Sequence, residues 1–396
     1  MDKKIEELLN RGVENIYPSK EALLSQLESG KKLKLYQGFD PTGVQLHIGH
    51  MVGLMKLRQW QELGHEVIFL IGDGTGQAGD PSGKTRGRDK YLNNSELREN
   101  AKDYVMQASR VVKFDGDNAA KILYNGDWLN KLTLVDVLDI ADNFTLQQLE
   151  ERDLYANRKK AGESINMREF FYPLLQAYDS VAMGVDLELG GDDQTFNMLC
   201  GRNLVKKMLN KEKFVMTTPL LSDSNGKKIG KTEGNAIALD SEPSDFYGMI
   251  MSLSDDVIVK SFEYITDIGM GEVREIESKI ANGENPMIFK KRLAYELTRM
   301  LNDEAKAHAA QEHFESVFSK REAPETMSDY KLKKEMTIVD LLADANLAES
   351  KSQARRLVEQ GAVKIDGETV GATDLILEPG EPRILKVGKL NYLKIV

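Results

Sequence analysis

Residues 33–71 read LKLYQGFDPTGVQLHIGHMVGLMKLRQWQELGHEVIFLI, and this stretch predicts the fold. Residues 33–39 are typical of a buried strand, and the apolar run 67–71 is typical of another. Between them, residues 46–63 have the spacing of an amphipathic helix, which Gly64 ends. Strand, helix and strand in this order form a βαβ crossover. The sequence therefore predicts an α/β fold with a doubly wound parallel sheet.

Two histidines stand at the start of the predicted helix. His47 and His50 are three residues apart and should share one face of its first turn. Helix N-termini attract anions, and imidazoles add hydrogen-bond donors without a permanent charge, which suits a polyphosphate. Gly49 and Gly53 are costly inside a helix, so we expect a flat group such as adenine to pack there. Surface histidines with packing glycines are the alternative; zinc fits less well because no cysteine or third ligand accompanies the pair.

The loop after the second strand contains two misleading motifs at the sheet edge where ligands bind. Residues 74–79 fit the dinucleotide fingerprint G-x-G-x-x-G, but Asp80-Pro81-Ser82-Gly83 follows where a helix should begin. Gly83-Lys84-Thr85 resembles the end of a P-loop, but Ala78 stands where glycine is required and Pro81 lacks an N–H. We therefore predict neither a nicotinamide site nor a P-loop.

Composition indicates a large protein of two or three domains. The 396 residues carry a net charge of −10, which argues against indiscriminate nucleic-acid binding and leaves local basic patches for any RNA contact. The single Cys200 excludes an internal disulfide framework and predicts a cytoplasmic location. No apolar run reaches membrane-spanning length, and residues 1–12 look amphipathic rather than like a signal peptide.

The middle of the chain has an apolar helix with a polar stripe. We predict this helix over residues 170–183, with Tyr172, Gln176 and Asp179 at i, i+4 and i+7 on one face. A strand over 185–189 and a loop over 190–194 should follow. These polar groups need partners; an ordinary solvated stripe is the alternative.

A loop rich in small and polar residues follows at 222–232. Its lysines, Lys228 and Lys231, could close over phosphates once a ligand binds. A solvated run of charge is the alternative reading of this pair.

From residue 240 the pattern becomes helical, with helices predicted over 246–253, 255–264, 273–281 and 286–318. A polar linker, 320–334, leads to a small α+β module, 335–396. There we predict a helix over 338–345, a second helix capped by Ser350 and ended by Gly361, a strand over 363–365 and a turn at Asp366-Gly367. Basic residues of this module are expected to contact RNA phosphates, unless they only solubilise the helix: Lys351, Arg355, Arg356 and Lys364.

Six motifs in this order resemble the bacterial tyrosyl-tRNA synthetases, which are class I aminoacyl-tRNA synthetases. They are residues 36–42 (YQGFDPT), 47–50 (HIGH), 79–83 (GDPSG), 172–180 (YPLLQAYDS), 190–194 (GGDDQ) and 228–232 (KIGKT). The resemblance covers nearly the whole chain. It implies a Rossmann-like catalytic domain over 1–239, a helical anticodon-binding domain over 240–319, the linker, and an S4 RNA-binding domain over 335–396.

The resemblance also implies an activity. Tyrosine reacts with ATP, accompanied by Mg²⁺, to give tyrosyl-adenylate and pyrophosphate, and the tyrosine then passes to the 3′ end of tRNA(Tyr). The family is homodimeric. Within the fold, a tryptophanyl enzyme is the nearest alternative, and a synthetase-like RNA-binding protein without catalysis is an alternative of another class.

The family's roles carry over to matching residues. Tyr36 and Asp179 read the phenolic hydroxyl, which suits their chemistry, since Asp179 accepts while Tyr36 donates or accepts. The resemblance implies that Asp80, Tyr172 and Gln176 hold the ammonium, and that Asp40, Gly191, Asp193 and Gln194 surround the ribose and the amino-acid carbonyl. It also implies that His47, Gly49 and His50 bind ATP. The groups expected to stabilise the leaving phosphates are Thr42, His47, His50, Lys228, Lys231 and Thr232. Gln37, Gly53 and Gln77 depart from the family pattern and affect the expected ribose contacts and loop packing.

Overall fold

The computed structural model describes all residues except 1, 44, 83–90, 151–152, 224–225, 227, 231–234, 317–327, 333, 346, 349, 381 and 389–390. The chain forms two compact units, Met1–Ala310 and Gln311–Val396. None of the helices in the described part of the chain is long and apolar enough to cross a membrane.

A six-stranded sheet forms the centre of the first unit. Its strands are β1 (Asn15–Tyr17), β2 (Lys34–Phe39), β3 (Glu66–Ile71), β4 (Lys121–Tyr124), β5 (Leu187–Gly191) and β6 (Phe214–Thr218). Their order is β1-β6-β5-β2-β3-β4; β1 runs antiparallel to β6, and the other neighbours pair in parallel. The predicted doubly wound parallel sheet is confirmed.

Strand β2 lies at the point where the sheet order reverses. It pairs with β3 on one side, Leu35 opposite Val67 and Phe39 opposite Ile71, and with β5 on the other. Both β2 and β3 begin within one residue of their predicted positions. The prediction was close because the apolar runs that suggested these strands are buried in the sheet. At such a reversal the carboxyl ends of the strands open into a crevice that binds ligands.

The crossover helix spans Ile48–Glu62 and begins later than predicted. His47 is its N-cap: His47 Nδ1 accepts a hydrogen bond from the Gly49 N–H at 3.2 Å, and His50 Nδ1 accepts one from the His47 N–H at 3.1 Å. The expectation that both histidines belong to the first turn is therefore wrong, because His47 has extended backbone and precedes the turn. The two rings instead form a reciprocal cap, with centroids 4.0 Å apart.

A single helical turn, Thr75–Ala78, follows β3, although the sequence predicted no helix there. Gly79, at φ +82°, ends it after four residues. The dinucleotide fingerprint requires a longer helix at this point. The argument against a nicotinamide site is therefore that this helix is too short, not that a helix is missing.

The other α-helices among the described residues up to 314 lie before, between and after the strands of this sheet in the sequence. They are Lys3–Asn10, Lys20–Glu28, Asn94–Ala108, Gly126–Leu129, Leu134–Ala141, Leu146–Glu150, Asp153–Lys160, Met167–Met183, Thr195–Leu209, Pro243–Met251, Ile258–Ile265, Met270–Ala281, Pro286–Leu301 and Glu304–Phe314, with 3₁₀ turns at Asp192–Gln194 and Asp255–Val257.

Several helix boundaries differ from prediction by a few residues, and two of these differences have identifiable local reasons. The helix with the polar stripe starts at Met167 because Asn166 and Glu169 form a capping box, and it continues through Pro173. The helix predicted over 286–318 is interrupted after Leu301, where Asp303 Oδ1 accepts a hydrogen bond from the Lys306 N–H and starts the next helix. Residues 317–318 lie outside the described residues.

The second unit is a small α+β module with its own apolar core. Strands β7 (Ser328–Tyr330), β9 (Val363–Ile365), β10 (Glu368–Thr369), β12 (Arg383–Val387) and β13 (Asn391–Ile395) form one sheet, ordered β10-β9-β12-β13-β7, and β8 (Met336–Thr337) pairs with β11 (Ile376–Leu377). The helices are Ile338–Asp344 and Lys351–Glu359.

Local signals in this unit are confirmed. Ser350 caps the second helix, Gly361 follows it at φ +66°, and Asp366 and Gly367 turn the chain with positive φ. Strand β7 lies within the predicted linker, because its backbone extends the sheet beside β13 and Tyr330 packs against the core. Residues 320–327 of that linker are outside the described part.

Candidate active site

A cavity of about 650 Å³ opens at the carboxyl ends of β2, β3 and β5. Most of the predicted site residues line it: Tyr36, Asp40, Thr42, His47, Gly49, His50, Asp80, Tyr172, Gln176, Asp179, Gly191, Asp193, Gln194 and Lys228. Lys231 and Thr232 lie outside the described residues. Five separate segments of the sequence thus meet in one cavity.

At one end of the cavity, the two histidines offer donors to an anion. In both rings Nδ1 accepts a backbone N–H, so the neutral ring carries its proton on Nε2. Burial, then the neighbouring His47 and Lys228, lowers the pKa of His50 well below its ordinary value. A neutral imidazole at a helix start donates to phosphate oxygens without bringing a permanent charge.

The described part of the lysine loop lies against this end. The Ile48 N–H donates to the Ile237 carbonyl at 2.9 Å, and the Leu239 N–H donates to the Leu46 carbonyl at 3.0 Å. The segment after the loop therefore pairs with the start of the crossover helix. Lys228 Nζ lies 2.9 Å from Asp193 Oδ2. The structure therefore joins two residues that the sequence assigned separately to the leaving phosphates and to the ribose.

The glycines of the crossover helix are covered by protein. A Cβ on Gly49 would lie 2.9 Å from the Ile229 carbonyl oxygen, and a Cβ on Gly53 would lie 2.4 Å from Gln37 Nε2. The expectation that a flat ligand packs directly on both glycines is therefore wrong at Gly53, because the Gln37 side chain lies there. Gln37 Oε1 is buried and has no hydrogen-bond partner among the described residues.

The opposite end of the cavity is formed by a buried carboxylate. Asp179 is 1% exposed, and its two oxygens accept hydrogen bonds from Asn125 Nδ2 at 2.9 Å and Trp128 Nε1 at 2.8 Å. Burial raises the pKa of Asp179 well above its ordinary value, and these two donors oppose the rise. They hold the carboxylate in place as an acceptor.

Tyr36 lies beside this carboxylate at the floor of the cavity. Its hydroxyl lies 3.0 Å from Ser180 Oγ. Burial, with the charges of Glu188 and Asp179, raises the pKa of Tyr36 well above its ordinary value. The phenol therefore stays protonated and keeps a proton to donate.

Between the two ends, the predicted ligands of an ammonium are held by other residues. Tyr172 OH donates to Asp40 Oδ2 at 2.9 Å, and Asp40 Oδ1 accepts from Thr75 Oγ1 at 2.7 Å. Gln194 Nε2 donates to Asp80 Oδ2 at 2.9 Å. These bonds orient the acceptor atoms of the site.

Gln176 leads to a buried ion pair that sequence reasoning missed. Gln176 Nε2 donates to Glu188 Oε1 at 2.9 Å, and Glu188 pairs with Lys213. Burial lowers the pKa of Lys213, and the contact with Glu188 opposes this. A lone lysine before an apolar strand carries no signal for such a role. Asn125 follows β4, a strand that the sequence analysis did not predict, and no motif marks it either.

The predicted RNA-contacting residues lie in the second unit. Arg355 and Arg356 are exposed on the helix Lys351–Glu359, while Lys351 Nζ pairs with Asp340 Oδ1 at 2.7 Å. Lys364 stands opposite Lys386 of the neighbouring strand, a basic residue that the sequence analysis did not single out.

Comparison with known proteins identifies the class. Residues 28–319 match the family described as tRNA synthetases class I (W and Y). Residues 318–395 match the tyrosine–tRNA ligase SYY-like C-terminal domain. The chain is a class I aminoacyl-tRNA ligase with an additional C-terminal domain.

Relatives narrow the assignment. The chain is 42% identical to the tyrosine–tRNA ligase of Thermotoga maritima over 390 residues, which cover 98% of this chain and 96% of the relative. It is 38% identical to that of Desulfotalea psychrophila, covering 98% and 97%. The C-terminally truncated mitochondrial tyrosyl-tRNA synthetase of Aspergillus nidulans superposes with a TM-score of 0.66 at 25% identity, covering 80% of this chain and 94% of that one. The chain belongs to the tyrosine–tRNA ligase family, as its motifs predicted, and the tryptophanyl alternative is not favoured.

Proposed function

We propose that the chain joins L-tyrosine to ATP, giving tyrosyl-adenylate and pyrophosphate, and then transfers the tyrosyl group to a hydroxyl at the 3′ end of tRNA(Tyr), which releases AMP. One observation carries this proposal: a single cavity has capped imidazoles at one end and a buried, twice hydrogen-bonded Asp179 beside Tyr36 at the other. The first end suits a polyphosphate and the second suits a phenol.

In the activation step, a carboxylate oxygen of tyrosine attacks the α-phosphorus of ATP. A new C–O–P bond forms, the bond from the α-phosphorus to its bridging oxygen breaks, and pyrophosphate leaves with the negative charge. Positioning and charge stabilisation are sufficient, so the protein supplies no nucleophile. The groups proposed to stabilise the leaving phosphates are Thr42, His47, His50, Lys228, Lys231 and Thr232. Mg²⁺ enters bound to ATP, and no protein ligand is proposed for it.

The substrate tyrosine is proposed to bind at the Asp179 end. Asp179 accepts the phenolic proton and Tyr36 donates to the phenolic oxygen. Asp80, Tyr172 and Gln176 accept from the ammonium, and the bond from Tyr172 to Asp40 supports this role, because it directs the Tyr172 proton away and leaves a lone pair for the ammonium. Asp40, Gly191, Asp193 and Gln194 are proposed to contact the ribose and the amino-acid carbonyl.

The tRNA is proposed to bind through the C-terminal half of the chain. The helical region 240–319 would contact the anticodon, and residues 335–396 would act as an S4 RNA-binding domain. Exposed Arg355 and Arg356, together with Lys351 and Lys364, supply positive charge for phosphates in an otherwise acidic protein.

We propose that the protein is a cytoplasmic homodimer. Leu134, Val135, Leu138 and Leu146 are between 56% and 75% exposed on neighbouring helices, a concentration of apolar surface that a partner subunit would cover. Leu138→Asp should halve the mass measured by sedimentation, whereas Leu375→Asp, at an exposed leucine of the second unit, should not. The buried single cysteine fits a reducing compartment.

Charging of tRNA tests the whole reaction. Purified protein with ATP, Mg²⁺ and labelled tyrosine should load a tRNA(Tyr) transcript and leave a transcript with a different identity unloaded. A protein that binds tRNA(Tyr) but never charges it would instead be the catalytically inactive RNA-binding alternative.

A further inference from the structure

A buried polar cluster lies directly behind the tyrosine end of the cavity. It consists of Ser180 on the helix Met167–Met183, Glu188 on β5 and Lys213 immediately before β6, each at most 1% exposed. A buried ion pair is costly unless its remaining hydrogen bonds are made. The hydrogen bonds of this cluster therefore show which neighbouring side chains it positions.

The Lys213 ammonium has three N–H donors and three acceptors around it. Lys213 Nζ contacts Glu188 Oε2, donates to Ser180 Oγ at 2.7 Å and donates to the Met198 carbonyl at 3.3 Å. Gly201 leaves room for this group, since a Cβ there would lie 2.6 Å from Lys213 Nζ. The ammonium is therefore held against Ser180.

This contact fixes the position of the Ser180 hydroxyl. An ammonium only donates, so Ser180 Oγ accepts from Lys213, and Ser180 donates its own proton to Glu188 Oε2 at 3.3 Å. Tyr36 OH lies 3.0 Å from Ser180 Oγ, and either hydroxyl can be the donor in this bond. Lys213 and Glu188 therefore hold Ser180 in place, and Ser180 in turn holds the Tyr36 hydroxyl.

The same ion pair orients Gln176. A carboxylate cannot donate, so the amide group that faces Glu188 Oε1 at 2.9 Å must be the NH₂ of Gln176. This leaves Gln176 Oε1, which is buried and has no hydrogen-bond partner among the described residues, as an acceptor in the cavity lining.

We propose that Ser180, Glu188 and Lys213 are positioning residues: they hold the Tyr36 hydroxyl in place for the phenolic oxygen of tyrosine, and they make Gln176 an acceptor for its ammonium. This inference rests on the proposed function. It assigns the discrimination of tyrosine from phenylalanine partly to a serine and an ion pair that need not touch the substrate.

A double-mutant cycle tests the inference in the full chain. Ser180→Ala should lower the ratio of kcat/KM for tyrosine over phenylalanine about tenfold, the size expected for one weakened hydrogen bond from a poorly held Tyr36 hydroxyl, by reducing tyrosine activation alone. In a Tyr36→Phe background, Ser180→Ala should not change the ratio further, because the hydroxyl through which it acts is gone. Ser261→Ala, a matched control at a fully buried serine whose Oγ has no hydrogen-bond partner among the described residues, should leave the ratio unchanged.

Gly201→Ala provides a second route, since its Cβ displaces the Lys213 ammonium without deleting a polar group, and it should lower the same ratio. Two results would overturn the positioning role in a protein whose wild type activates tyrosine. One is an equal loss of kcat/KM for tyrosine and phenylalanine, and the other is full additivity of Ser180→Ala with Tyr36→Phe. Absence of tyrosine activation in the wild type would instead overturn the proposed function.

Discussion

The side chain of Gln37 occupies the space that a Cβ on Gly53 would need. Such a Cβ would lie 2.4 Å from Gln37 Nε2 and 2.5 Å from Gln37 Oε1. Both residues line the cavity near the capped histidines. The residues at these two positions thus fit each other: a long side chain on β2 requires a glycine on the crossover helix.

This fit predicts coupled effects on ATP binding. Gly53→Ala should push the Gln37 carboxamide into the cavity and raise the KM for ATP by about three- to tenfold, with little change in the tyrosine KM. Gln37→Ala in the same chain should remove most of that increase. Steady-state pyrophosphate exchange at varied ATP measures both, and additive effects of the two substitutions would show that they are independent.

His47 offers a substitution that separates capping from catalysis. His47→Asn keeps an N-cap acceptor for the helix Ile48–Glu62 but removes the Nε2 donor, so stability should change little. Adenylate formation should slow by about 2 to 4 kcal/mol of activation free energy, because the lost contact strengthens as pyrophosphate leaves. Single-turnover kinetics and equilibrium tyrosine binding measure the two effects separately, and an unchanged activation rate would remove His47 from the site.

Lys56 predicts a pH dependence of stability. Lys56 is 2% exposed, and its ammonium donates to the Leu8 carbonyl at 2.7 Å and to Gln59 Oε1 at 2.8 Å. Burial, followed by the charge of Arg11, lowers the pKa of Lys56 from 10.5 to about 7. Between these values the unfolded chain binds more protons than the folded one, so the Lys56 contribution to the free energy of unfolding rises with pH.

Lys56→Met should therefore flatten the increase in stability between pH 7.5 and 9.5 by about 1 kcal/mol per pH unit. Denaturant titrations across this range measure the slope. The exposed Lys4→Met serves as the control and should leave it unchanged. An equal slope in wild type and Lys56→Met would mean that Lys56 titrates normally in the folded protein.

Arg355 and Arg356 test the RNA-binding role of the second unit. Replacing both with alanine should weaken tRNA charging and flatten its dependence on salt, because fewer phosphate counterions are released on binding. Tyrosine-dependent pyrophosphate exchange should stay near wild type, since both side chains belong to the second unit. Lys3→Ala with Lys4→Ala is a matched control in the first unit. Normal charging by the arginine variant at physiological salt would leave recognition to the helical region.

The parts of the fold that could be predicted are those with strong local signals. The apolar runs of β2 and β3 leave little choice but buried parallel strands, and Gly64, Ser350 and Gly361 mark helix ends by backbone chemistry that needs no distant partner. The break after Leu301 was missed because the surrounding residues favour helix and only the capping bond of Asp303 shows it.

The site was predicted through motifs rather than through contacts. The order of the motifs identified Tyr36, His47 and Asp179 as site residues. No motif in the sequence indicates that Asn125, Trp128 or Lys213 form hydrogen bonds within or behind the cavity. Asn125 and Trp128 follow β4, and Lys213 precedes β6, so their roles depend on how distant strands pair. Pairing between distant segments cannot be inferred from the periodicity of one chain.

The most direct test of the central claim is ATP–pyrophosphate exchange by the purified chain with tyrosine, tryptophan and phenylalanine in parallel. A cavity that supplies a donor and an acceptor for a phenol should reject analogues without that hydroxyl, a behaviour for which tyrosyl enzymes are themselves the standard example. The account predicts exchange with tyrosine and only trace exchange with the other two. Exchange that is faster with tryptophan, or absent with all three, would contradict it.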